Sequence, residues 1–407
     1  MTQITPEEHS GLVGGSTAAQ RLNCPRSYTI EKRIPKTEGD SVYAREGTAL
    51  HEIMAVALQK DVEPTTLLPF TFTAPPSKGG WSFTVDSALW HEKGEPALAA
   101  FDEFVVTHEK RIGAKMRFLI ETRVAFPGIP GAFGTSDIMA ICGDEIFVMD
   151  WKFGNGLVPA TENAQLMFYA CGALNTSRDF FADMRLLSET PVTLAIIQPT
   201  TNPIVDHWRT DLGRLRRFEM ELKAAVREAE VKGDTARIKT GPWCKFKRCQ
   251  AICPLRVGAA DNLARRFGDL QRAVAGKAND LPDILGDVLD LVEIVQPMCD
   301  AAKETALTHM QNGGAIAGWE TKPGRAGNTR WAKHEYIVRN VLLEKGLDED
   351  TVAPRKIVTP TQAKKLLGDL PDDLIDRGEP GKPTLVRRKD RETRDVAELA
   401  KRIVSPT

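Results

Sequence analysis

The hydrophobic pattern along this chain alternates between a helical and a strand period, and those changes mark out its elements. An AREGTALHEIMAVALQK stretch predicts a helix from about Thr48, with Leu50, Met54, Val56 and Leu58 among its apolar positions. Residues 61–80 are rich in Pro, Thr and Gly and read as a loop. A second helix is expected between Pro96 and Lys110. The period then drops to two. MRFLIETRVAF, SDIMAIC and IFVMDWKF read as three strands joined by the turn-rich PGIPGAFG and by a tight GDE turn. Together they predict a three-strand meander.

Helical spacing returns in ATENAQLMFYACGALN, opened by Thr161 and closed near Asn175. VTLAIIQP follows as a fourth strand, and its place after a helix predicts a parallel addition to the sheet. From Asp211 to Val231 the charges fall on one face of an amphipathic helix with i,i+4 ion pairs. The LPDILGDVLDLVEIVQPMCDAAKETALTHMQNGG segment is helical, with a kink or break expected at Pro297. The fold class is therefore α/β, a central mixed sheet flanked by helices, with a mostly helical C-terminal accessory region. We place the boundary between residues 1–256 and 257–407.

Length and composition narrow the function classes. The 407 residues suffice for a sizeable core, and a formal net charge of -1 offers no global basic field for coating nucleic acid. No basic-then-apolar leader opens the chain, and no apolar run spans a bilayer. Seven cysteines, an odd number, argue against a secreted disulfide framework and leave thiols free for metal. The expected location is cytoplasmic. No GxxxxGK[ST] pattern announces an ATP motor.

Candidate chemistry sits between Gly134 and Tyr169. On a strand, Asp150 and Lys152 share one face while Trp151 points to the other. A partner strand can bring Asp137 opposite them. Two carboxylates, the Trp151 carbonyl and water suit a hard octahedral cation, Mg²⁺ or Mn²⁺. Burying Asp150 at the end of IFVMD would be costly without a cation or donor. The competing reading is a strand pair ending in solvated charges.

A second set is thiolate. Cys244, Cys249 and Cys253 lie within ten residues, and Cys24, followed by Pro25, can supply a fourth ligand. Such a set can hold a [4Fe–4S] cluster or Zn²⁺. We expect it to act as a staple, since joining Cys24 to the trio closes a very long loop. Cys142, Cys171 and Cys299 fall in apolar patterns and read as core.

The order of these motifs resembles the PD-(D/E)XK nuclease superfamily, and within it the RecB-like branch. That branch has a histidine on an upstream helix, a GxxD strand, a DxK strand and QxxxY on a helix. Here the matching residues are His51, Gly134 to Asp137, Asp150 to Lys152, and Gln165 to Tyr169. The resemblance implies that His51 is a metal ligand and that Lys152 orients water or offsets developing charge. It also implies that Gln165 and Tyr169 hold a DNA phosphate or support Lys152. Glu121 is a candidate extra acid on the preceding strand, or a plain surface residue.

Some RecB-like members carry one cysteine before the nuclease core and three after it, closing the domain on an iron–sulfur cluster. Their trio is C-x2-C-x5-C. Here it is C-x4-C-x3-C, with Lys247 where the second cysteine is usual. RLNCP…EGTALHE, DWKFG and the distal GKPTLV…DR also resemble a family of uncharacterised phage-borne proteins. That resemblance implies a recombination or replication role in a phage or prophage, in the host cytoplasm, beside a single-strand-binding or annealing protein.

In the C-terminal region, GWETKPGRAGNTRWA reads as a small basic hairpin with tryptophans at both ends. Arg325, Arg330, Trp331 and Lys333 could grip a strand by phosphate contact and stacking, or could form a solvated hairpin. The expected function is a Mg²⁺- or Mn²⁺-dependent DNA exonuclease acting on single strands or DNA ends. The alternatives are an idle DNA-binding or assembly module on the same fold, and a structure-selective endonuclease. Homo-oligomerisation is one route to processivity.

Overall fold

A computed structural model of the chain describes residues 11–34, 42–76, 79–245, 247–277, 281–311, 313–322, 330–331, 335–352, 358–376 and 384–387. The chain divides into two compact units, Met1–Ala302 and Lys303–Thr407. The boundary read from the sequence, between 256 and 257, falls inside the first of these. Among the described residues, no helix is long and apolar enough to cross a membrane.

The first unit opens with α1 (Gly15–Asn23), α2 (Ser27–Glu31) and α3 (Val42–Lys60). α3 begins before the Thr48 start predicted from its apolar spacing, because its first turns are exposed and carry no apolar stripe. The stretch read as a loop, 61–80, holds β1 (Phe70–Thr73), which pairs antiparallel with β2 (Ser82–Val85) just beyond it. Its prolines fall outside both strands, where they cost no ladder hydrogen bond. A one-turn α4 (Ser87–Leu89) leads into α5 (Glu95–Ile112), which stops at Gly113 in the left-handed conformation.

β3 (Arg117–Ala125), β4 (Phe133–Cys142) and β5 (Glu145–Trp151) form the expected meander. After α6 (Ala164–Thr176), β6 (Pro191–Ile197) joins β5 in parallel. β7 (Val205–Asp211), absent from the pattern-based reading, closes the sheet antiparallel to β6. Its VDHWRTD sequence has too little apolar alternation to announce an edge strand. The result is a five-stranded mixed sheet, in the order β3-β4-β5-β6-β7.

β5 is central and buried on both faces, as a near-continuous apolar run requires. Ile146 and Val148 enter one core with α1, α6 and α7 (Leu212–Lys232), among them Ala18, Phe168 and Phe218. Phe147, Met149, Trp151 and Phe153 enter the other core with α3 and α5, among them Leu50, Met54 and Phe101. By the same alternation Asp150 and Lys152 sit on the α6 side.

Beyond the sheet, α8 (Pro254–Arg272) pairs with α9 (Leu281–Gln311) through Leu263, Leu270, Ile284 and Val288. α9 runs through Pro297, where the sequence predicted a kink or break. Proline has no N–H to give the Glu293 carbonyl and crowds it, and Glu293 lies on the exposed side, where that carbonyl can tilt out to water.

The second unit carries α10 (Glu335–Glu344), α11 (Glu349–Val352) and α12 (Pro360–Leu367) around Val338, Leu342, Val352 and Ala363. Its strands correct the predicted basic hairpin. β8 (Trp319–Lys322) and β9 (Arg330–Trp331) do not pair with each other. β9 pairs with β10 (Ile375–Asp376), and β8 pairs with β11 (Thr384–Arg387). These long-range ladders replace a local turn. Arg330 and Trp331 therefore lie on one short strand, while Arg325 and Lys333 fall outside the described residues.

Candidate metal centre

The site forms where α3 and α6, from opposite faces of the sheet, meet residues of β3, β4 and β5. Asp137 on β4 is its hub. Its Oδ2 accepts the Trp151 amide at 2.9 Å and lies 3.2 Å from His51 Nδ1. Asp137 is thus fixed from the strand next door and from α3 at once. His51 is itself held edge-on against Phe153, ring centroids 5.4 Å apart.

Glu121 belongs to the same cluster. Its neighbours Ile120 and Thr122 pair with Ile138 and Ser136, which puts Glu121 across from Asp137. Its φ of 46° is left-handed, a conformation that costs a non-glycine residue on the order of 1–3 kcal/mol and persists only where surroundings enforce it. Ligand atoms of His51, Glu121 and Asp137 all lie within 4.8 Å of one another. The sequence marked Glu121 only as an option, because a strand kink at one residue leaves no periodic trace.

Asp150 is fully buried on β5 and pairs with Lys152. Gln165, capped into place at the start of α6 by Asn163, ties these groups together. Its Nε2 donates to Asp150 Oδ1 at 3.2 Å and to Tyr169 Oη at 3.0 Å, while its Oε1 accepts from Lys152 Nζ at 3.3 Å. A glutamine is the side chain that can do this, having two donors and an acceptor on one head group. The QxxxY and DxK pairs are therefore one hydrogen-bonded unit.

Packing around Tyr169 is tight. A side-chain carbon at Gly15 would lie 2.5 Å from the ring, and one at Gly134 2.8 Å. Two glycines, at the start of α1 and on β4, make room for one phenol.

Electrostatics show a site with excess negative charge. Burial and the Asp137 charge push Glu121 up to about 7. Burial and Asp137 likewise push Asp150 up to about 6, against the pull of Lys152 and His51. Burial also opposes ionisation of Asp137, but His51, the Trp151 amide and Lys152 outweigh it and hold this carboxyl below its ordinary value. His51 is raised: burial disfavours its charge, and Asp137 and Asp150 more than offset that. Three carboxylates and an imidazole with one ammonium suit a divalent cation by donor chemistry, and the imidazole inclines the set toward Mn²⁺.

The four cysteines converge at a second place. Cys24 caps the end of α1, Cys244 and Cys249 sit in short 3₁₀ turns, and Cys253 caps α8. All four are buried. Burial, Glu31 and the three other thiols push Cys249 up to about 12, so the sulfurs stand within electrostatic reach of one another. Of the other three, Cys142 and Cys171 are buried, as their apolar patterns predicted, while Cys299 is exposed.

This α/β chain, with its acidic–imidazole centre and four gathered thiols, belongs to the family described as "Protein of unknown function (DUF2800)", whose model matches residues 9–393. Among solved structures, the crystal structure of SSO0001 is similar over 56% of this chain and 94% of its own, at 13% identity and a TM-score of 0.21.

Proposed function

We propose that this chain is a Mg²⁺- or Mn²⁺-dependent deoxyribonuclease of the PD-(D/E)XK type, acting on single strands or DNA ends. One observation carries the reading. Gln165 joins Asp150, Lys152 and Tyr169 beside the His51–Glu121–Asp137 cluster, so seven residues between positions 51 and 169 make one polar site. A structural core has no use for that much buried, mutually repelling charge.

His51, Glu121, Asp137 and Asp150 would hold the cation. When bound, it supplies Lewis-acid polarisation of the phosphate and a more acidic water. Lys152 places its ammonium beside the reacting phosphate and offsets charge that develops there. Gln165 fixes the direction of that ammonium. Tyr169, wedged between Gly15 and Gly134, holds Gln165 in turn.

The four buried cysteines make a donor set that suits a [4Fe–4S] cluster, with Zn²⁺ as the alternative. It would staple α1 to the segment preceding α8.

The reading is tested by incubating the protein with end-labelled single-stranded DNA, linear duplex and closed circular DNA, each with Mg²⁺ and with Mn²⁺. Loss of label from linear substrates with intact circles is the expected result. Cut circles would make it an endonuclease. No cleavage of any substrate, with binding retained, would replace the enzyme reading with a DNA-binding module.

A further inference from the structure

Lys247 stands where the resemblance expects a cysteine, and the structure shows where its ammonium goes. Its Nζ donates to the Ser16 carbonyl at 3.0 Å, in the first turn of α1. Burial disfavours its charge, against the pull of Glu31 and of Cys249 two residues on. The residue is half-buried.

Gln20 approaches the same sulfur from α1. It is 1% exposed, and its Nε2 donates to Glu31 Oε1 at 2.9 Å and to Cys249 Sγ at 3.1 Å. The orientation of this amide is fixed by chemistry. Glu31 is ion-paired with Arg21 at 2.6 Å and can only accept, so the group facing it must be the nitrogen. The second hydrogen of that nitrogen then points at sulfur. Arg21 is in turn anchored to the Leu12 carbonyl and Ser27 Oγ, so the whole chain of donors is braced. Gln20 Oε1 is buried without a partner.

We propose that Gln20 and Lys247 tune the four-cysteine centre, raising its reduction potential by a hydrogen bond to the Cys249 sulfur and by a nearby positive charge. The inference rests on the iron–sulfur reading given above. Hydrogen bonds to the sulfurs and local charge are two of the levers that set a cluster's potential. Reduction adds negative charge, and both an N–H donor and an ammonium favour the more negative state. Lys247 would then work on the cluster from outside its ligand set. The same two residues bolt α1 to the cysteine segment, at Ser16 and at Gln20, and α1 begins at the glycine that packs on Tyr169.

The test uses the full chain purified without oxygen, with iron and acid-labile sulfide measured first. Potentiometric titration followed by electron paramagnetic resonance is then run on the wild type, Gln20→Leu, Lys247→Met and Lys247→Arg. The expected result is a shift to more negative potential in Gln20→Leu and in Lys247→Met, with Lys247→Arg close to wild type. Loaded variants with unchanged potential would overturn this inference alone. Protein that holds only zinc, or no metal, would overturn the cluster reading and this inference together, and would leave the nuclease reading standing.

Discussion

Gln165 Nε2 donates to Asp150 Oδ1 across 3.2 Å, and the same head group accepts from Lys152. The pair links a helix to a strand fifteen positions earlier. If Gln165 steers the Lys152 ammonium, replacing it should leave cation binding in place and slow turnover. We expect Gln165→Leu to lower kcat by about 10–100-fold, the usual scale for a residue supporting a metal site. Manganese binding measured by calorimetry should change little.

His51 and Glu121 act on the cation itself. With Mn²⁺ at about 100 times its Kd, the wild type should gain about 2.7 kcal/mol of stability by mass action. His51→Ala and Glu121→Gln should lose most of that gain in a thermal melt with and without Mn²⁺. Melts of the variants that respond to Mn²⁺ as the wild type does would remove these two residues from the cation site.

Gly15 offers a purely steric prediction. A methyl group there would stand 2.5 Å from the Tyr169 ring. Overpacking of this kind costs about 1–3 kcal/mol, and the strain would fall on the Tyr169–Gln165 bond. Gly15→Ala should therefore lower activity and melting temperature together, and Gly15→Ala with Tyr169→Phe should not restore activity.

Much of this centre is legible in the sequence. Period two placed Asp150 and Lys152 on one strand face, and i,i+4 spacing placed Gln165 above Tyr169. Other parts were hidden for physical reasons. The position of Glu121 depends on one left-handed residue within a strand. Gln20 reaches Cys249 across 229 positions, a contact no local pattern encodes. β1 and β2 were masked by the prolines around them, and β7 is an edge strand with polar residues. β8 and β9 flank a turn-like sequence but take partners more than forty residues away. Arg325 and Lys333, read as possible DNA contacts or as part of a solvated hairpin, lie outside the described residues.

The opposite end of the sheet gives a pH prediction independent of any metal. Glu145, at the start of β5, accepts from Thr193 Oγ1 at 2.5 Å, from Arg111 at 2.8 Å and from Arg209 at 3.3 Å. Burial opposes its charge, but these donors outweigh burial and hold its carboxyl below the usual 4.5. A carboxyl depressed in the folded state adds stability above its unfolded pKa, and that contribution fades as pH falls through the folded value. Glu145→Gln should cost about 1–3 kcal/mol in urea unfolding at pH 7. The difference from wild type should shrink as pH falls below 4.5.

The central claim is that Asp150 and Lys152 carry phosphodiester hydrolysis. Its most direct test is cleavage of end-labelled single-stranded DNA under Mn²⁺ by the wild type, Asp150→Ala and Lys152→Ala, with circular dichroism confirming that all three fold. We predict cleavage by the wild type and loss of it in both folded variants. Equal cleavage by all three would contradict the account.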